Sequence, residues 1–102
     1  MRNTTLSCII PKEQVSTLQF SKTEVLQNKK KKVLRAHYLN RAAQLGNLLK
    51  NKVNIYFKDA DDKLMRVHTT IWAVTTDSVI LKQGVTIPRN CVVFVDRLNI
   101  SR

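Results

Sequence analysis

Residues 53–98, VNIYFKDADDKLMRVHTTIWAVTTDSVILKQGVTIPRNCVVFVDRL, decide the fold of this chain. Short runs of apolar and β-branched residues recur in this stretch and are separated by residues that favour turns. Such a pattern predicts several short strands folded into one small sheet or barrel. The first strand is predicted at Val53–Phe57, with Val53, Ile55 and Phe57 on its inner face because alternate side chains of a strand share a face.

The second strand, Leu64–Thr75, is predicted to be unusually long. Twelve residues exceed the usual strand length of about five or six, so we expect this strand to bend sharply and to pair with different neighbours at its two ends. Asp59–Asp62 is the turn that precedes it. The remaining strands and turns are predicted at Val79–Lys82, a hairpin at Gln83-Gly84, Val85–Ile87, one 3₁₀ turn at Pro88–Asn90, and Cys91–Val95.

A helix is predicted before the strand region, with its start marked by Ser21–Glu24. In this capping-box pattern the Ser21 hydroxyl accepts from the Glu24 N–H, and the Glu24 carboxylate accepts from the Ser21 N–H. Phe20 and Val25 occupy the positions of a hydrophobic staple. These residues predict that the helix begins at about Lys22.

The apolar stripe of this helix is predicted to comprise Leu34, Tyr38, Ala42, Leu45 and Leu49, which recur at helical spacing. Gly46 either ends the helix or lies inside it. Because Leu49 continues the stripe, we place the end near Lys50 with Gly46 inside. A helix over residues 22–50 is about 43 Å long at 1.5 Å per residue, so its first half is expected to overhang the barrel.

The chain is strongly basic, and the basic residues are unevenly distributed. The net charge is +11 and the isoelectric point is near 10.2. Residues 1–52 hold eleven Lys and Arg against two Glu, whereas residues 53–102 hold seven against five Asp. Such a charge favours contact with a polyanion, although it is also compatible with a soluble protein that is merely basic.

The chain is short enough for one domain. We predict a single domain over residues 21–102, preceded by residues 1–20 as a tail or an added edge strand. Cys8 and Cys91 do not form a C-x-x-C pair, and Cys91 is expected to behave as a small buried apolar residue. No run of about 18 apolar residues exists, so no membrane span is predicted, and a reducing cytoplasmic location is the expectation.

Basic residues supply the candidate binding site. Phosphate contacts are predicted for a set of cations in the N-terminal half of the chain: Lys29, Lys30, Lys31, Lys32, Arg35, Arg41, Lys50 and Lys52. The alternative is a solvated helix end. Trp72 is placed on one strand face with Arg66, His68 and Thr70, where it could stack on a base. The alternative is that Trp72 packs beneath the helix.

No catalytic, metal or cofactor site is predicted. Asp59–Asp62 resembles the start of a calcium loop but lacks the Gly and Glu that such a loop needs at its sixth and twelfth positions, so we interpret it as a hairpin turn. His37 and His68 are isolated in sequence, and no arrangement of a nucleophile with a base can be proposed.

The order of one helix and five short strands resembles an SH3-like barrel of the Sm/Hfq type. The residues that carry the resemblance are Tyr38-Leu39-Asn40, Val53–Phe57, Val79–Lys82 and Ile87–Val95. The fold expected is therefore mainly β with one long N-terminal helix and a small five-stranded Sm-like barrel. The resemblance implies RNA binding and a ring of subunits that pair through their fourth and fifth strands. Ile87–Asn90 stands where Hfq carries Tyr-Lys-His, so the RNA pockets of that family are not carried over.

Two functions follow as hypotheses. The first is non-catalytic binding of nucleic acid, with RNA favoured, mainly through phosphate contacts to the basic helix. The second is a protein-interaction or assembly module without a nucleic-acid role, in which the helix or the last strands pair with another chain. A homo-oligomer is compatible with either hypothesis.

Overall fold

The computed structural model describes residues 8–49 and 51–96. The helices are α1 (Lys12–Val15) and α2 (Lys29–Leu49). The strands are β1 (Cys8–Ile9), β2 (Val53–Lys58), β3 (Leu64–Thr69), β4 (Ile71–Val74), β5 (Ser78–Leu81), β6 (Thr86–Pro88) and β7 (Val92–Asp96). A 3₁₀ turn at Arg89–Cys91 joins β6 to β7, one residue later than predicted.

The strands form two sheets. One is an antiparallel sheet in the order β3-β2-β7, which the two-residue strand β1 extends in parallel beside β3, and the other is the antiparallel sheet β4-β5-β6. The fold mixes helix and strand, because the 21-residue helix α2 accompanies two sheets of short strands. The predicted long helix is present, but the prediction of a mainly β chain is only partly right. The predicted closed five-stranded barrel is not what the structure shows. Among the described strands, β7 pairs with β2 and β6 pairs with β5, so the two sheets are separate ladders.

The predicted bend in the segment Leu64–Thr75 is confirmed. Its first half, β3, pairs with β2, and its second half, β4, pairs with β5. The break falls at Thr70, whose carbonyl accepts a hydrogen bond of 3.0 Å from the Lys82 N–H. One continuous segment therefore contributes a strand to each sheet.

The core lies between the two sheets and α2. On β2 the side chains of Val53, Ile55 and Phe57 are buried, as their alternation predicts. The other buried apolar residues of the strand region are Met65, Val67, Ile71, Val79, Leu81, Ile87, Cys91, Val92 and Val95. The helix adds Leu39 and Ala42 to the same cluster. Burial of apolar area on this scale is the main force that holds the helix to the sheets.

Helix α2 begins at Lys29, so the predicted start at Lys22 is wrong. Its N-cap is Asn28, whose side-chain oxygen accepts hydrogen bonds from the backbone N–H groups of Lys30 at 2.8 Å and Lys31 at 3.3 Å. Asn is among the most favourable N-cap residues. Toward its other end the helix continues through Gly46 to Leu49, as predicted.

Residues 21–28 are not helical because their polar groups bind a distant part of the chain. The side-chain amide of Asn90 donates to the carbonyls of Ser21 at 3.2 Å and Thr23 at 2.9 Å. The Val25 N–H donates in turn to the Asn90 carbonyl at 3.0 Å. These contacts hold the segment against the 3₁₀ turn between β6 and β7, and they replace the capping box that the local pattern predicts.

The buried face of α2 differs from the predicted apolar stripe. Leu39 and Ala42 are 0% and 2% exposed, and Arg35 completes the buried row at 7%. Leu34 and Tyr38, which were predicted to face the core, are 49% and 42% exposed. The buried row and the predicted stripe both have helical spacing, so periodicity alone did not show which of them faces the core. The helix therefore presents a second, partly apolar face to solvent.

The segment before residue 21 packs on the sheets where the structure describes it. β1 adds an edge to β3, which agrees with the edge-strand alternative. Val15 of α1 is fully buried, and the Phe20 ring lies 6.0 Å from that of Phe57. Residues 1–7 lie outside the described part of the chain.

The hairpin between β5 and β6 turns at Gln83-Gly84, as predicted, and Gln83 is poorly suited to its place. Gln83 has φ +69° and Gly84 has φ +81°, and a type I′ turn requires positive φ at both central residues. We expect Gln83→Asn to raise the free energy of unfolding by about 0.5–1 kcal/mol, because Asn tolerates the left-handed region far better. Urea unfolding measures the change.

A second substitution in the same turn, Gly84→Ala, tests the backbone conformation alone. A Cβ at residue 84 would have no atom within 4 Å, so any effect must come from the backbone conformation. A loss of about 1 kcal/mol is expected, the usual cost of a left-handed conformation for a residue with a Cβ. If both variants left stability unchanged, the turn would not be type I′.

Candidate nucleic-acid interface

The lysine cluster, Lys29–Lys32, occupies the first turn of α2, and all four side chains are exposed. The first turn contains no acidic residue. Among the residues that the structure describes, Lys29, Lys30 and Lys31 take part in no ion pair, whereas Lys32 lies close enough to Glu24 to influence its carboxylate. The N-terminal end of a helix also carries a partial positive charge. Anions are therefore favoured at this end of α2.

Arg35, which the sequence assigned to phosphate binding, points inward. Its guanidinium donates to both carboxylate oxygens of Glu24, at 2.7 and 2.6 Å, and to the Val92 carbonyl at 2.9 Å. Only 7% of its side chain is exposed. This ion pair joins the segment before α2, the helix and β7, and Arg35 has little surface left for a phosphate.

The Glu24 carboxyl group is held in its charged form by these contacts. Burial alone raises the pKa of Glu24, but the hydrogen bonds from Arg35 and from the Leu26 N–H, together with the charges of Arg35 and Lys32, lower it below its ordinary value. The Leu26 N–H lies 3.0 Å from the carboxylate. The carboxylate is thus already satisfied and does not neutralise Lys29, Lys30 or Lys31.

The other cations of the predicted site lie apart from one another. Arg41 is exposed on α2 beside His37, Tyr38 and Val95. Arg41 and Lys29 are separated by about 18 Å along the helix axis, at 1.5 Å per residue. Lys52 is exposed just before β2, and Lys50 lies outside the described residues. The lysine cluster and Arg41 are therefore well separated along the surface of α2.

The predicted strand face of Arg66, His68, Thr70 and Trp72 does not exist as one surface. Thr70 is 6% exposed at the bend, and the pairing of β4 with β5 shifts register between Ile71 and Ala73. Arg66 consequently lies in the sheet with β2, and Trp72 lies in the other sheet. Trp72 is 45% exposed, so the alternative of a Trp buried beneath the helix is also wrong.

An aromatic row that the sequence did not reveal runs across α2, β7 and β2, and it consists of Tyr38, Phe94 and Tyr56. The ring centroids of Tyr38 and Phe94 are 6.4 Å apart and those of Tyr56 and Phe94 are 5.8 Å apart. The Arg66 guanidinium carbon lies 5.9 Å from the centre of the Tyr56 ring. Phe94 is 47% exposed although its strand neighbours are valines, and an all-apolar run does not show which residue faces outward.

A shallow groove of about 370 Å³ lies between α2 and β7, next to the lysine cluster. We call it the α2–β7 groove; it is lined by Leu26, Lys31, Leu34, Arg35, Tyr38, Val93 and Phe94. A second apolar hollow continues it along the helix past Lys29, Lys30 and Val33. The exposed face of α2 thus combines apolar side chains with cations.

The chemistry available elsewhere in the described residues is limited. Cys91 is a free, fully buried thiol, as predicted, and burial raises its pKa. Asp59–Asp62 forms a hairpin turn, in which one Asp59 carboxylate oxygen accepts from the N–H groups of Asp61 and Lys63. Within residues 8–49 and 51–96, no three His, Cys, Asp or Glu side chains form a group that could hold a metal ion.

No helix in the described ranges has the length and apolar character needed to cross a membrane. Comparison of the chain with protein-family models, with curated proteins and with solved structures finds no match. The similarity to Sm-like barrels therefore stays a prediction from the residues.

Proposed function

We propose that this protein binds nucleic acid without catalysis. The lysines at the start of α2 make most of the contacts, and they contact the phosphates of the nucleic acid. The observation that carries the proposal is the lysine cluster, in which four consecutive exposed cations stand on a rigid helix and Lys29, Lys30 and Lys31 have no carboxylate partner among the described residues. Cations that neutralise phosphates release the condensed counterions of the nucleic acid, and this release favours binding at low salt.

The distribution of charge supports this location. The N-terminal half of the chain holds most of the excess of Lys and Arg over acidic residues. The structure removes Arg35 from the proposed contacts, and it leaves Arg41 and Lys52 exposed and able to extend them. RNA is favoured over DNA only by the resemblance to Sm-like barrels. The aromatic row lies close by, but the phosphate contacts do not depend on it.

An oligonucleotide titration at several salt concentrations tests the proposal. We expect the logarithm of the binding constant to fall linearly with the logarithm of the salt concentration. In the variant Lys29→Gln, Lys30→Gln, Lys31→Gln, this slope should become shallower by about 2, because each lost phosphate contact removes about 0.7–0.9 from it. Fluorescence anisotropy with a labelled single-stranded RNA is a suitable measurement.

A second variant with the same net charge is the control. Lys22, Lys63 and Lys82 are also exposed, and their replacement by Gln lowers the net charge by the same three units without touching α2. Its salt slope should stay close to that of the parent protein. If the two variants behaved alike, binding would reflect overall charge and not a site. If the parent affinity did not change with salt, the proposal would be wrong.

A further inference from the structure

We propose that the α2–β7 groove is a docking site for an acidic amphipathic helix of another protein. This surface is separate in chemistry from the proposed phosphate contacts, although the two share the lysine cluster as a border. Docking of such a helix does not require bound nucleic acid.

The first observation is the apolar area that α2 leaves uncovered. Val33 is 63% exposed, Leu34 is 49% exposed and Tyr38 is 42% exposed on the helix, and Phe94 faces them from β7 at 47%. Large apolar side chains that are exposed singly need no explanation, but a contiguous group marks an interaction site. These four side chains follow one another along the groove and the hollow that continues it.

The second observation is the sign of the charges around the groove. Lys29, Lys30 and Lys31 stand at one end, and Arg41 stands at the other. No carboxylate is carried by the described residues that line the groove, the hollow that continues it, or the surface beside Arg41. A partner that covers the apolar floor must bring its own charge close to these cations, so acidic residues beside its apolar stripe give electrostatic complementarity.

An unstacked base fits this groove less well than an apolar side chain does. The ring planes of Tyr38 and Phe94 meet at 79°, so the edge of one ring covers part of the face of the other. Valine and leucine form much of the remaining floor, and the Arg35 guanidinium is already bound to Glu24. A base would leave its polar edges without partners there, and buried polar groups without partners are costly. A helix laid in a groove needs only apolar anchors at helical spacing.

A second copy of this chain also fits poorly. An isologous contact through the groove brings the same patch of both copies together. The lysine clusters of two molecules would then lie near one another, and the net charge of +11 on each chain adds to the repulsion.

The test uses the whole 102-residue chain and a synthetic peptide of about 18 residues, which spans roughly 27 Å as a helix. Leu occupies one helical face of the peptide, and Glu and Ala occupy the rest. A scrambled peptide of identical composition, without an apolar face, is the control for attraction by charge alone. At physiological salt we expect the amphipathic peptide to bind at least tenfold more tightly than the scrambled one. Equal affinities would overturn the proposal.

Variants of the protein locate the contact. The pair Val33→Gln, Leu34→Gln places a good helix former at both exposed positions and should weaken binding of the amphipathic peptide at least tenfold. The matched control is Ile9→Gln, which removes an exposed apolar residue from β1, outside the groove. If the paired variant bound the peptide as tightly as the control did, the groove would not be the docking site.

A third variant separates apolar docking from base stacking. Phe94→Leu keeps an apolar side chain but removes the aromatic ring. Peptide affinity is expected to change less than threefold, and RNA affinity is expected to be unchanged. If Phe94→Leu instead weakened RNA binding tenfold and spared the peptide, the groove would be a base-stacking surface and the proposal would be overturned. Sedimentation of the free protein gives the last check, since self-association that Leu34→Gln abolishes would make a second copy the occupant.

Discussion

Replacing Glu24 with alanine is expected to lower the free energy of unfolding by about 3 kcal/mol, the lower end of the range for buried ion pairs, because Arg35 is buried and Glu24 is partly exposed. The variant leaves the Arg35 guanidinium, 7% exposed, in the folded chain without its counterion. An arginine cannot escape this cost by losing its proton. Denaturant unfolding at neutral pH measures the loss.

The reverse variant, Arg35→Met, should cost less, about 2 kcal/mol. Glu24 is 31% exposed, so water can solvate its carboxylate once the guanidinium is gone. The Val92 carbonyl loses the donor at 2.9 Å, and the methionine recovers part of the packing. The double variant Glu24→Ala, Arg35→Met should lose less than the sum of the two single losses, because no buried charge remains unpaired. Strictly additive losses would show that the two side chains do not act as a pair.

The same ion pair makes a defined contribution to the pH dependence of stability. The pKa of Glu24 in the folded protein lies below its ordinary value of 4.5. A lowered pKa means that the stabilisation is fully present above the unfolded-state value and is lost as the pH falls through the folded value. Between these two values the unfolded chain binds more protons, so stability rises with pH there. Glu24→Gln should flatten this part of the profile and leave the region above it parallel to that of the parent.

The strand region could be predicted from sequence because its signals are local and agree with one another. The alternation at Val53, Ile55 and Phe57 is confirmed by their burial. The length of Leu64–Thr75 required a bend, and the bend is observed at Thr70. In each case the physical cause, a strand with one face in the core, acts over a few neighbouring residues. Whether the two sheets close into a barrel depends on contacts between distant strands, which local patterns in the sequence do not specify.

The start of α2 could not be predicted because a distant contact overrides a good local signal. Ser21–Glu24 satisfies a capping box, but Glu24 binds Arg35, which lies eleven positions later. Asn90 holds the carbonyls of the same segment from the far end of the chain. An ion pair and a set of hydrogen bonds of this kind outweigh a cap, which contributes about 1 kcal/mol.

The candidate site also contains residues whose exposure could be predicted from sequence and residues whose exposure could not. Four consecutive lysines cannot all face a core, so their exposure follows from sequence and is observed. Arg35 lies on the same helix, and its burial is fixed by Glu24 and Val92, which no spacing rule connects to it. Phe94 lies in a run of valines, and its exposure depends on which face of β7 meets the core.

Leu39→Ala and Leu34→Ala form the second decisive comparison, because they test which face of α2 meets the sheets. Leu39 is fully buried, and its truncation should cost about 3 kcal/mol through lost burial and the cavity left behind. Leu34 is 49% exposed, and its truncation should cost less than about 1 kcal/mol. Leu and Ala are both strong helix formers, so helix propensity does not explain a difference between the two. Equal costs would mean that α2 is rotated toward the stripe that periodicity predicts.

The binding properties of the same two variants should change in the opposite order. Leu34 lines the α2–β7 groove, so Leu34→Ala should weaken the acidic amphipathic peptide while the protein stays folded. Leu39 faces the core, so Leu39→Ala should leave peptide affinity unchanged at temperatures where the variant is still native. Thermal unfolding and peptide titration on the two variants thus separate a residue that holds the helix in place from a residue that the helix presents to a partner. If Leu39→Ala lost both stability and peptide affinity while Leu34→Ala lost neither, the exposed face of α2 would have no role of its own.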